Sequence, residues 1–100
     1  MKIAVIGCGA LGSYYGAGLV KTGREVHFLL RSDFETVRRQ GVQIRSALGD
    51  FHVQPLCAQT AEAIGRCDLV LIGLKTTANH LFPSILPPLI GPETVLLTLQ

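Results

Sequence analysis

The chain has 100 residues, enough for one domain with a real core and too few for two. Hydrophobic residues make up 48% and charged ones 16%, which excludes a disordered polymer and favours a largely buried sheet. Nine Lys and Arg stand against seven Asp and Glu, a net charge of +2 with no basic block, so nucleic acid is not an expected partner.

The first element runs from Ile3 to Ile6, four apolar residues without alternation, as in a strand buried on both faces of a parallel sheet. Gly7, Gly9 and Gly12 follow in the spacing G-x-G-x-x-G, within the loop Gly7-Cys8-Gly9-Ala10-Leu11-Gly12. Gly7 permits the tight turn out of the strand, Gly9 lets a pyrophosphate approach the backbone, and Gly12 lets the next helix lie close on the sheet. That helix runs to about Thr22 and points its N-terminal N–H groups at the phosphates. Gly12, Gly16 and Leu19 share one of its faces, and close approach to the sheet accounts for Gly16. Gly18 has no evident role. Tyr14 and Tyr15 read as core or surface residues rather than ligand contacts, and Gly23 ends the helix.

Glu25 to Leu30 reads as the second strand. Sites for NAD or FAD place an acid about 20 residues past the glycines, where it binds the ribose 2′-hydroxyl. Here that place holds Leu30, Arg31 and Ser32. The Arg31 guanidinium matches a 2′-phosphate that a carboxylate would repel, so the expected cofactor is NADPH/NADP+ rather than NAD(H). Ser32 could add a donor, and Asp33 could instead cap the next helix. Phe34 to Gln40 reads as a short helix, with Arg38 and Arg39 on its wet face.

Residues 42–46 and 50–54 alternate apolar and polar around Ala47, Leu48 and Gly49, the pattern of a β-hairpin. Residues 60–65 allow one or two helical turns. Asp68 to Leu74 is again a continuous apolar strand, with Lys75 at its carboxyl tip, where open α/β sheets bind ligands. Thr76 or Thr77 is a candidate cap for the helix that follows, and Pro83 kinks or splits that helix, opening a second short segment. Thr94 to Leu99 reads as a last buried strand. The fold expected is α/β: a Rossmann-type, doubly wound, mostly parallel sheet with helices on both faces and an inserted β-hairpin.

No apolar run approaches the roughly 18 residues of a membrane span, and the opening apolar run is too short for a signal peptide. Cys8, Cys57 and Cys67 form no C-x-x-C pattern and read as reduced thiols of a cytoplasmic protein. The three histidines are dispersed, and no metal site is evident.

KIAVIGCGALGSYYGAGL, LLRSD, the hairpin VQIRSALGDFHVQ, DLVLIGLKT and TVLLTLQ together resemble the N-terminal domain of the ketopantoate reductases (2-dehydropantoate 2-reductases). The glycine loop is shared by many dehydrogenases; its combination with Arg31, the hairpin and Leu-Lys-Thr is more specific. The resemblance implies NADPH-dependent reduction of 2-dehydropantoate to pantoate, a step toward pantothenate and coenzyme A. It implies that the 7–12 loop holds the pyrophosphate, that Arg31 holds the 2′-phosphate, and that Lys75 lies near cofactor and substrate. The family's catalytic lysine and substrate-binding residues belong to a helical second domain outside residues 1–100, so this chain reads as the cofactor half and carries no catalytic residue of its own. That reading leaves exposed apolar surface and room for self-association as a homodimer. A reductase of another keto or hydroxy acid on the same scaffold, and a nucleotide-sensing binding module, are the competing readings.

Overall fold

The computed structural model describes residues 1–7, 10–47, 49–73 and 82–98. Five parallel strands make the main sheet: β1 (Lys2–Ile6), β2 (Glu25–Leu29), β5 (Leu56–Ala58), β6 (Leu69–Ile72) and β7 (Val95–Thr98). They lie in the order β5-β2-β1-β6-β7. The chain thus winds outward from β1 in both directions, and the order reverses beside β1. That reversal opens a crevice at the carboxyl ends of β1 and β6.

Burial explains the unalternating strands. Ile3, Ala4, Val5 and Ile6 are buried, and their side chains supply both faces in turn. Ile3 and Val5 join Val26, Phe28, Leu30 and Leu71 under helix α1 (Ala10–Lys21). Ala4 and Ile6 join Val70, Ile72, Ile64 and Leu89 on the other face. That second layer is made by α3 (Ala61–Ile64), α4 (Phe82–Ile85) and a 3₁₀ turn at Pro87–Leu89. Helix α3 is a single turn, capped where the Thr60 hydroxyl accepts from Ala63 N–H at 3.2 Å. Pro83 sits in the first turn of α4, where the missing N–H costs nothing.

Helix α1 lies close on the sheet because Gly16 has no side chain. A Cβ there would stand 2.8 Å from the Phe28 ring. Phe28 is fully buried, and that burial stabilises the fold by about 1.5–3 kcal/mol. Gly23 closes the helix with φ +88°, its N–H donating to Val20 O at 2.9 Å.

The alternating segment forms the hairpin β3 (Val42–Ile44) and β4 (Phe51–Val53), an antiparallel pair separate from the main sheet. Ile44 and Val53 turn inward onto Ala17 of α1, while Gln43 and His52 face out. The hairpin therefore covers the outer side of α1. Helix α2 (Phe34–Gln40) lays Phe34 and Val37 on the α1-side core and exposes Arg38 and Arg39, which pair with Glu35. The Gln54 amide donates to the carbonyls of Val37 and Arg38 at 3.2 and 3.1 Å, tying α2 to the hairpin's exit.

One element escaped the sequence reading and one expectation needs correction. Leu56–Ala58 forms β5, an edge strand too short for its apolar pattern to stand out between Pro55 and the turn at Gln59. The last strand is not buried: all four residues of β7 are exposed, Val95 by 60%. It pairs with β6 on one side, and no described element covers its faces.

Candidate functional site

At the crevice, β1 ends and the chain turns at Gly7 with φ +79°, a conformation that disfavours any residue with a Cβ. Gly12, buried in the first turns of α1, is pressed against the Gly7 carbonyl; a methyl at position 12 would overlap that oxygen. A third glycine completes the arrangement. Gly73, at the tip of β6, donates its N–H to Ile6 O at 2.8 Å, and a Cβ on it would lie 2.8 Å from Gly7 O. Three bare backbone stretches thus meet at one point. Sequence reading missed Gly73 because it stands inside an apolar strand pattern, with only its place one residue past β6 to single it out.

Helix α1 begins at this point. Its first turn holds no acid and its last turn holds Lys21, so nothing on the helix neutralises the positive N-terminal end. A glycine-lined cradle under a helix N-terminus suits an anionic diphosphate. Ala10 and Leu11 lie in the first turn of α1. Cys8, Gly9 and Lys75 lie outside the described residues, as do Thr76 and Thr77.

The tip of β2 sits beside the tip of β1, in register through Ile6 and Leu29. Leu30 is buried and anchors the strand end, its N–H donating to Ala58 O at 2.8 Å. The next three residues, Arg31, Ser32 and Asp33, are exposed. Arg31 makes no ion pair with any described residue. Asp33 occupies the N-cap position of α2 but its side chain makes no cap hydrogen bond. Val37 N–H donates to Asp33 O at 3.0 Å, the ordinary first bond of the helix.

Among the described residues no group of three His, Cys, Asp or Glu side chains is placed to hold a metal. No described helix is long and apolar enough to cross a membrane. Burial pushes the thiols of Cys57 and Cys67 up, so neither is a thiolate at neutral pH; both are free. Glu25 opens β2 and His27 stands at its middle, their side chains 2.6 Å apart and short of the strand's carboxyl tip.

A doubly wound parallel sheet with a glycine-lined strand-to-helix turn at its switch point defines a Rossmann-type α/β domain. The family model for "Ketopantoate reductase PanE/ApbA" matches residues 3–100, and the chain belongs to that family. It is 47% identical over 100 residues to a 2-dehydropantoate 2-reductase of Nostoc sp. (strain PCC 7120), covering 99% of this chain and 31% of that one. The crystal structure of 2-dehydropantoate 2-reductase from Geobacter metallireducens GS-15 superposes with a TM-score of 0.95 at 46% identity, covering all of this chain and 34% of that one. That from Methylococcus capsulatus gives 0.85 at 38% identity, over 98% of this chain and 33% of the other. The chain therefore spans about a third of the length of the relatives it matches. The family is one of NAD(P)-dependent reductases.

Proposed function

We propose that this chain is the cofactor-binding part of a cytoplasmic NADPH-dependent reductase that converts 2-dehydropantoate to (R)-pantoate, on the way to pantothenate and coenzyme A. The observation that carries the substrate is the 47% identity, along the whole chain, to a protein named for that reaction. The cofactor reading rests on Arg31, exposed and without an ion-pair partner among the described residues at the tip of β2.

The residues divide the work by position. The backbone of the 7–12 loop and the N-terminus of α1 receive the diphosphate, and Gly73 keeps the wall of the cradle free of a side chain. Arg31, with Ser32 beside it, binds a 2′-phosphate through charge-assisted hydrogen bonds. The reduced nicotinamide, when bound, supplies the hydride that reduces the keto carbon. Lys75, two residues past Gly73, orients the far end of the cofactor or the substrate carboxylate. The proton that completes the alcohol comes from a donor outside residues 1–100.

The test is turnover by the full-length protein with 2-dehydropantoate and each reduced nicotinamide. Oxidation of NADPH matched by formation of pantoate is the expected result. Turnover of a different keto acid alone would reassign the substrate, and a preference for NADH would reassign Arg31.

A further inference from the structure

Helix α2 starts directly after the exposed turn Arg31-Ser32-Asp33, so the seat of α2 sets the seat of that turn. Little within α2 fixes it. Seven residues are too few for a helix to hold on propensity alone. None of them is fully buried, and the Asp33 side chain makes no cap. The pairs of Glu35 with Arg38 and Arg39 are exposed and worth little.

The far end of the helix is held from outside. The last four carbonyls of a helix have no partner within it. Here three of the four, on Val37, Arg38 and Gln40, accept side-chain donors from β4 and its exit. The Gln54 amide bridges Val37 O and Arg38 O, and His52 Nε2–H donates to Gln40 O. Gly41, at φ +75°, closes the joint: a Cβ there would stand 2.5 Å from Val53 O and 2.7 Å from the His52 ring. The segment that supplies these donors is itself fixed, because Val53 is buried with Ile44 against Ala17 of α1.

The bonds continue up to the turn. Val37, whose carbonyl Gln54 holds, donates its own N–H to Asp33 O, and Phe34 N–H donates to Arg31 O at 3.2 Å. On the other side of the turn, Leu30 is anchored on β5 through Ala58 O. The turn that carries Arg31 is thus strung between two anchors, one on the sheet and one on the hairpin.

We propose that Gln54, with His52, positions Arg31 for the 2′-phosphate of the dinucleotide. With α2 held at its carboxyl end, the guanidinium stands where two parallel bonds to the phosphate form, a geometry that tolerates about 0.5 Å of misplacement. The inference rests on the cofactor reading given above and adds to it the residues that keep Arg31 in place. Gln54 acts through Arg31 and needs no contact with the cofactor.

Calorimetric titration of the full-length protein with NADPH and NADH tests this. Gln54→Met and His52→Phe each keep the bulk of the side chain and remove the donor. Each is expected to weaken NADPH about fivefold and to leave NADH within about twofold. In an Arg31→Ala background neither change should weaken NADPH further, whereas a merely structural role would leave the two effects independent. Equal loss toward both nucleotides, unchanged NADPH affinity, or the same loss in the Arg31→Ala background would overturn the positioning. A selective Arg31→Ala beside an unselective Gln54→Met sinks the positioning alone. Should Arg31→Ala itself leave NADPH binding unchanged, the cofactor reading falls and the positioning falls with it.

Discussion

The carbonyl oxygen of Gly7 occupies the space that a side chain on Gly12 would need. One contact therefore couples the turn out of β1 to the seating of α1. The geometry that bares the backbone for a diphosphate is the same geometry that packs helix on strand.

Gly12→Ala pushes the turn and the helix apart. Overpacking of this kind costs about 1–3 kcal/mol. The far-UV circular dichroism of the variant should be unchanged while its dinucleotide affinity falls at least about tenfold by calorimetry. Undiminished affinity would show that the cradle yields without consequence.

Gly16 and Gly18 lie two residues apart in α1 and should respond in opposite directions. An added methyl at Gly16 meets the Phe28 ring at 2.8 Å and Val5 at 3.0 Å, so Gly16→Ala should lower stability by about 1–3 kcal/mol. At Gly18 nothing stands within 4 Å of the added carbon, so Gly18→Ala should raise it by about 0.5–1 kcal/mol through helix propensity and unfolded-state entropy. Urea denaturation of the two variants checks both signs.

The Glu25 carboxyl is held below its ordinary value of 4.5, chiefly by its hydrogen bond with His27. The native state thus binds that proton more weakly than the unfolded chain does. The stabilising contribution is whole above pH 4.5 and is lost as the pH falls through the depressed folded value. The melting temperature of the parent should exceed that of Glu25→Gln at neutral pH, with the gap closing as the pH falls below 4.5. A gap that widens in acid would contradict the assignment.

Much of this architecture was legible because several signals coincide at single residues. The unalternating Ile3–Ile6 run, Gly7 and the helical spacing of Gly12 and Gly16 all require β1 against α1, and the structure places them so. Alternation likewise marked the hairpin, since Ile44 and Val53 have only one face to bury. What escaped reading depends on neighbours. Leu56–Ala58 is a strand because β2 offers it an edge, not because three residues declare one. The Leu96 and Leu97 pair looks like core in sequence, yet β7 is exposed because position in the sheet, not composition, decides burial. Gly73 reads as strand filler until β6 is set beside β1. Arg31 was found through the absence of an acid at its position, and its exposure is consistent with the role proposed for it.

The central claim is that a glycine-lined turn grips the diphosphate while Arg31 selects the 2′-phosphate. Calorimetric titration of the parent and of Arg31→Ala with NADPH and NADH tests it most directly. Loss of a charge-assisted hydrogen bond predicts that the variant binds NADPH about 1.5–3 kcal/mol more weakly and NADH almost unchanged. Equal weakening toward both nucleotides, or tighter binding of NADH by the parent, would contradict it.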